Sequence, residues 1–309
     1  MSIANKDIIE KINLAIKKSE KYIGMGEIAS YIPELANVNP ENFAIALVDT
    51  QGHTYEFGDT DVVFSMQSIS KVISLIMALK DNGYDKVFEK VGSERSQYKF
   101  NSVIPIDDKP ANPLINAGAI TTSSLIMGED VIEKYDRILD LIKQMAASDD
   151  IGLLEEVYLS EMDTTDINRA IAYYLRSKGI FDDDAEKVLD LYIRNCSIGL
   201  TAKQLAHIGA ILANSGKDLN SQKEIISKDI VKITVAQMAS CGMYEISGKY
   251  LQDVGIPSKS GVSGAILGVV PGKFGICVYS PLLDQAGNSV RGKNLLKILS
   301  NDLDLNIFL

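Results

Sequence analysis

Histidine and cysteine are scarce in this chain, with two of the former and three of the latter among 309 residues. A Ser-His-Asp or Cys-His triad would therefore have to use His53 or His207. His53 follows Gly52 between two strand-like runs, Asn42 to Val48 and Thr54 to Phe57, and reads as a hairpin-turn residue. His207 lies inside Thr201 to Asn214, a helical pattern opened by a threonine cap and closed by Asn214-Ser215-Gly216. Both read as structural, so a catalytic base has to be sought among other residue types. Cys196, Cys241 and Cys277 are odd in number, widely spaced and form no C-x-x-C pair. That excludes a conventional zinc cluster and fits a reducing compartment. Each reads as a small buried apolar residue.

Positive charge is also in deficit. Lys and Arg total 31 against 41 Asp and Glu, a net −10 that favours solubility and argues against a nucleic-acid partner. No apolar run approaches the ~18 residues that a membrane helix needs. The start, Met1 to Lys11, reaches charged residues before a signal-peptide apolar region develops, so the expected location is the cytoplasm. A phosphate-binding glycine loop and a dinucleotide fingerprint are both lacking. What is present, 46% hydrophobic and 23% charged residues with eight prolines, is the composition of an ordinary globular protein. The length allows one large domain or two medium ones.

Ile8, Ile9, Ile12, Leu14 and Ile16 recur at helical spacing within Asn5 to Ser19. The hairpin around His53 follows, then an apolar helical stretch from about Met66 to Leu79, stopped by Asp81-Asn82-Gly83. From there to about Gly242 the chain reads almost entirely as helices: Ile132 to Ala147, Thr164 to Arg176, Asp184 to Ile193, Thr201 to Asn214 and Ile230 to Met238. Strand character returns in Gly264 to Val270 and Phe274 to Ser280, joined by the turn Pro271-Gly272-Lys273. A helix near Val290 to Ser300, with Arg291, Lys293 and Lys297 on a polar face, closes the chain. A lone hairpin is not independently stable. The simplest packing joins both hairpins into one antiparallel sheet, lays the terminal helices against it and inserts the helical block between.

Ser68, Ile69, Ser70 and Lys71 form an S-x-x-K at the start of the first buried helix, which puts a hydroxyl and an amine on one helical face. Lysine can act as the serine's base if burial leaves it neutral, and a helix start offers free N–H groups to an oxyanion. Ser96 and Lys99 repeat the spacing, but within a polar stretch that reads as solvated surface. Near the C-terminus, Lys259-Ser260-Gly261 precedes the apolar strand pair, the place of the K-T-G element in serine β-lactamases and penicillin-binding proteins. The S-D-N element of those enzymes is absent, which argues against a β-lactam substrate.

Longer blocks narrow the resemblance. Gly26 to Leu35, Phe64 to Lys71, Asp107-Asp108-Lys109-Pro110 with Asn112 to Ile120, Cys241 to Tyr244, Lys259 to Val262, and Gly287 to Gly292 resemble the bacterial-type glutaminases, in family order. The resemblance implies a β-lactamase/transpeptidase-like α+β fold with α/β/α layering, as a single domain over 1–309. Its sheet subdomain would span about 1–64 and 245–309, and its all-helical subdomain about 65–244. It also implies hydrolysis of L-glutamine to L-glutamate and ammonia without metal or cofactor, by a homo-oligomer of two or four copies. Ser68 would be the nucleophile, Lys71 its proton acceptor, and the N–H groups of Ser68 and Val262 the oxyanion hole. Tyr31 and Tyr244 match pocket tyrosines able to relay a proton or bond the substrate. Asn116, Glu161, Asn168 and Tyr192 match positions that hold the α-ammonium and α-carboxylate, although by composition alone each could equally be a capping or surface group. Glu161 and Asn168 are seven residues apart, two turns of a continuous helix. Two other readings stand beside this one: a serine amidase or esterase for another substrate, and a non-catalytic amino-acid-binding protein of the same fold.

Overall fold

The computed structural model describes residues 3–96, 98–102 and 108–309; Asp107, in one of the sequence blocks, lies outside them. The chain opens with α1 (Ile3–Ser19), the strands β1 (Ala44–Asp49), β2 (Thr54–Gly58) and β3 (Phe64–Ser65), and α2 (Ser70–Lys90). There follow α3 (Asn116–Ser124), α4 (Val131–Ala146), β4 (Gly152–Leu153), α5 (Glu155–Thr164), α6 (Asp166–Ser177) and α7 (Ala185–Cys196). After β5 (Ile198–Leu200), α8 (Ala202–Ala213), α9 (Lys228–Cys241) and α10 (Ser247–Val254), the chain ends with β6 (Ser258–Ser260), β7 (Ala265–Val270), β8 (Phe274–Tyr279) and α11 (Val290–Asp302).

Both apolar hairpins enter one antiparallel sheet in the order β2-β1-β8-β7-β6, as expected from the sequence. Its inner strands are buried on both faces, which explains their near-continuous apolar runs. Ala46, Val48, Leu267, Val269 and Cys277 join a core shared with α2, α4 and α8. The alternate residues Ile45, Leu47, Ile266, Ile276 and Val278 meet Ile12 and Ala15 of α1 and Leu295, Leu296 and Leu299 of α11. Layering is thus helix, sheet, helix. Gly209 of α8 and Gly275 of β8 let the two backbones touch: a Cβ on Gly275 would lie 2.0 Å from the Ala210 nitrogen.

Several expectations are corrected. The first buried helix does break at Asp81-Asn82-Gly83, where Gly83 leaves helical geometry (φ 75°, ψ 175°), but a second helical segment, not anticipated, carries on from there to Lys90. The middle of the chain is almost entirely helical as expected, but it also holds the short strands β4 and β5, which join β3 in a small second sheet that was not anticipated. Leu14 points outward, half exposed, so α1 buries Ile12 and Ala15 instead. Arg291 is only partly on a polar face: its guanidinium lies 3.6 Å from the Phe43 ring centroid and Nε donates to Ser19 Oγ. The cysteines are free and buried, as read from the sequence. Among the described residues no helix is long and apolar enough to cross a membrane, and no group of three His, Cys, Asp or Glu could hold a metal ion.

Candidate active site

Ser68 stands on a sharp turn rather than on the helix proper. Met66 N–H donates to the Ile198 carbonyl at 2.8 Å, tying the end of β3 to β5, and Gln67 then takes a positive φ of 48°. A non-glycine residue pays for that conformation, and the 3₁₀ turn Gln67–Ile69 that follows leads directly into α2. Lys71, in the first turn of α2, is fully buried. Its Nζ donates to Asn116 Oδ1 at 2.5 Å and lies 5.8 and 6.0 Å from the ring centroids of Phe100 and Tyr192. Burial lowers the Lys71 pKa to about 8, against an opposing pull from Cys196 and Glu161.

The edge strand β6 closes the other side. A Cβ on Gly261 would lie 2.8 Å from the Met66 carbonyl oxygen, so this glycine lets the residues after β6 press on the turn that carries Ser68. Among the turn and loop backbone hydrogen bonds of the described residues, none takes the N–H of Val262, just past the edge strand. Tyr244, also at positive φ (53°), shares a hydrogen bond with the Ser68 side chain and donates its hydroxyl to the Ser260 carbonyl at 3.1 Å. Burial pushes its phenol well above the usual range.

The remaining residues line one pocket beside Ser68, which includes Tyr31, Asn116, Glu161, Asn168 and Tyr192. Asn116 Nδ2 donates to Asn168 Oδ1 at 2.8 Å, and Asn168 Nδ2 to Thr165 Oγ1 at 3.0 Å. Glu161 accepts from Gln67 Nε2 at 3.2 Å; burial raises its pKa to about 7, with Gln67 and Lys71 pulling the other way. Glu161 and Asn168 are not on one continuous helix, as the chain breaks at Thr165 between α5 and α6. Both reach the pocket nonetheless. Tyr31 is 58% exposed, its flank open to solvent. It also lines the pocket, and desolvation, then Tyr244 and Glu161, hold its phenol well above the usual range. Ser96 and Lys99 stay outside this assembly, with Lys99 exposed.

A buried Ser/Lys turn against an edge strand, with a carboxylate and two linked asparagines beside it, invites comparison with known proteins. The family model described as Glutaminase matches residues 26–308. The chain belongs to the glutaminase family. Glutaminase 2 of Clostridium perfringens is 44% identical over 98% of this chain and its own full length. Glutaminase 2 of Bacillus subtilis is 42% identical, covering 97% of this chain and 98% of that protein. The solved structure of the probable glutaminase ybaS superposes with a TM-score of 0.91 at 41% identity, covering 97% of this chain and 98% of that one. A probable glutaminase from B. subtilis complexed with 6-diazo-5-oxo-L-norleucine gives 0.87 at 35% identity, covering 100% and 97%. The β-lactamase-like fold expected from the sequence is that of these bacterial glutaminases.

Three residues of this glutaminase-family site carry no site role in the sequence reading. Gln67 was an unremarked neighbour of Ser68, yet it holds Glu161. Cys196 lines the pocket, but burial pushes its thiol up to about 12, which keeps it protonated. Lys259 stood in the K-S-G element without a role; it is fully buried, donates to the Ser260 carbonyl at 2.6 Å and sits 4.4 Å over the Tyr244 ring. Burial, then Lys71, lowers its pKa strongly. A lysine between two serines, ahead of an apolar strand pair, was the available signal.

Proposed function

We propose that the protein is a cytoplasmic glutaminase that hydrolyses L-glutamine to L-glutamate and ammonia through an ester on Ser68. The observation that carries the reading is the hydrogen-bonded chain from Lys71 through Asn116 to Asn168, which joins the base to the residues that would hold the amino-acid head. Neutral Lys71 takes the Ser68 proton as Oγ attacks the amide carbon, and the N–H groups of Ser68 and Val262 stabilise the oxyanion. As the tetrahedral species collapses, the C–N bond breaks and Lys71 returns the proton to the departing nitrogen, with the Tyr244 hydroxyl, bonded to Ser68, as the relay. Water then attacks the ester by the same route and glutamate leaves. Glu161 pairs with the α-ammonium. Asn116, Asn168 and Tyr192 hold the carboxylate, and Tyr31 closes the open side.

The bound 6-diazo-5-oxo-L-norleucine of the B. subtilis relative supports the substrate, because that compound carries an α-amino acid head and a carbonyl at the carbon where glutamine has its amide. Assembly into two or four copies belongs to the same reading and rests on the family resemblance. Ser68→Ala is expected to abolish ammonia release from glutamine while leaving the fold intact, with Ser96→Ala as the control. Substantial turnover by the Ser68 variant, or equal loss in the Ser96 variant, would overturn the assignment.

A further inference from the structure

A cavity of about 450 Å³ lies beside β3 and the start of α5 and shares no lining residue with the Ser68 pocket. That volume is within the roughly 300 to 1,000 Å³ of small-molecule sites. Its walls are apolar, with Ile28, Leu35, Val38, Val63, Leu154 and Val157 among them. Two hydroxyl residues interrupt them at depth. Ser65 pairs with Gly199 in the small sheet and Ser263 sits in the turn after β6. They are 3% and 7% exposed, and neither Oγ has a hydrogen-bond partner among the described residues. A buried hydroxyl left unpaired is costly. At the outer end, Glu34, Glu155 and Glu156 bring three carboxylates, none of them in an ion pair among the described residues. The helix start at α5 accounts for two of these charges, but not for Glu34 or for the two hydroxyls. Water could bond each hydroxyl and would leave the apolar wall wetted.

We infer that this cavity is an effector site for a small organic cation: an amine on an apolar body with a hydroxyl at its far end. The ammonium meets the three carboxylates, the body covers the apolar walls, and the hydroxyl bonds Ser65 and Ser263. A ligand bearing carboxylates, glutamine and glutamate included, is repelled at the mouth. The occupant lies against segments that the proposed reaction uses. Ser65 is three residues ahead of Ser68, Val262 lines the cavity while its N–H is the second oxyanion donor, and Glu156 and Val157 share α5 with Glu161. Atoms packed into the empty space restrain the two segments that carry the oxyanion donors, so occupancy raises the rate of the step those donors serve. The effect on turnover rests on the hydrolase reading above; binding does not.

Tyramine carries all three parts; phenethylamine lacks the hydroxyl and 4-ethylphenol the ammonium. Calorimetric titration in saturating glutamate, which keeps the Ser68 pocket filled, should give tyramine a Kd of about 1 mM or tighter. Each comparator should bind at least about threefold more weakly. Val63→Trp, at a half-exposed wall position, should weaken tyramine by at least about tenfold, because the indole takes up the space. Glu155→Gln with Glu156→Gln should weaken tyramine at least about threefold and leave 4-ethylphenol within about twofold. No detectable binding, equal binding of the three compounds, or unaltered binding to Val63→Trp overturns the site. Rates are read as glutamate formed, so that capture of the Ser68 ester by the amine does not count. Saturating tyramine should raise kcat for glutamine by at least about twofold in the parent and not in Val63→Trp, a small part of the roughly 100-fold that one oxyanion donor contributes. An unchanged or lowered kcat with binding intact overturns the effector role. Failure to form glutamate without tyramine overturns the hydrolase reading instead, and leaves the titration to decide the site.

Discussion

The mechanism needs Lys71 neutral and Glu161 ionised, and their pKa values of about 8 and about 7 set the pH at which each condition holds. Both requirements are met as pH rises. The kcat/KM for glutamine should climb roughly a hundredfold per pH unit below 7, about tenfold per unit between 7 and 8, and level off above 8. Lys71→Arg should be as damaging as Lys71→Ala across that whole range, since arginine stays protonated and cannot accept the serine proton. Near-normal rates in the arginine variant would move the base to Tyr31 or Tyr244. Glu161→Gln removes a charge while keeping shape; it should weaken glutamine binding by roughly 2 to 5 kcal/mol, the range for a broken desolvated ion pair. It should also flatten the steepest part of the pH profile, leaving a single acid limb. An analogue without the α-amino group should bind the parent poorly yet lose little more in the variant. Simply additive losses in that cycle would show that Glu161 does not touch the ammonium.

Two elements meet to make the site, the turn Gln67–Ile69 and the edge strand β6, and Gly261 is where their backbones touch. Gly261→Ala should push Ser68 away from Val262. Kinetics on glutamine should show kcat down by roughly a hundredfold, the cost of about 1 Å of misplacement, with a loss of only about 1 to 3 kcal/mol in urea unfolding. An unchanged kcat would mean that the contact does not position the nucleophile. Elements of this kind were unevenly legible. The start of α8 could be read from Thr201 and Gln204, which form a capping box. By contrast α3 shows no amphipathic stripe, because Asn116 through Ser123 are buried all round. Strands β3 and β4, of two residues each, are too short to display alternation.

At the scale of the molecule, the terminal segments and the helical block are locked together where α8 lies on β8. A Cβ at residue 275 would fall 2.0 Å from Ala210 N and 2.2 Å from Ala206 O, both backbone atoms that cannot rotate away. Gly275→Ala should therefore lower the urea midpoint by the equivalent of about 1 to 3 kcal/mol or more without changing the m-value; an unmoved midpoint would mean that the layers have slack. The sheet's continuous apolar strands, the S-x-x-K spacing, the K-S-G element and the long family blocks were determined by sequence alone, because each depends on neighbours a few residues away. The state of the site's charges was decided only by tertiary structure. Lys71 loses its water to Asn116, 45 residues on, and Gln67 meets Glu161 across 94. Glu161 and Asn168 converge on one pocket across a helix break. Desolvation and pairing depend on what packs around a group in space, and no local spacing encodes that.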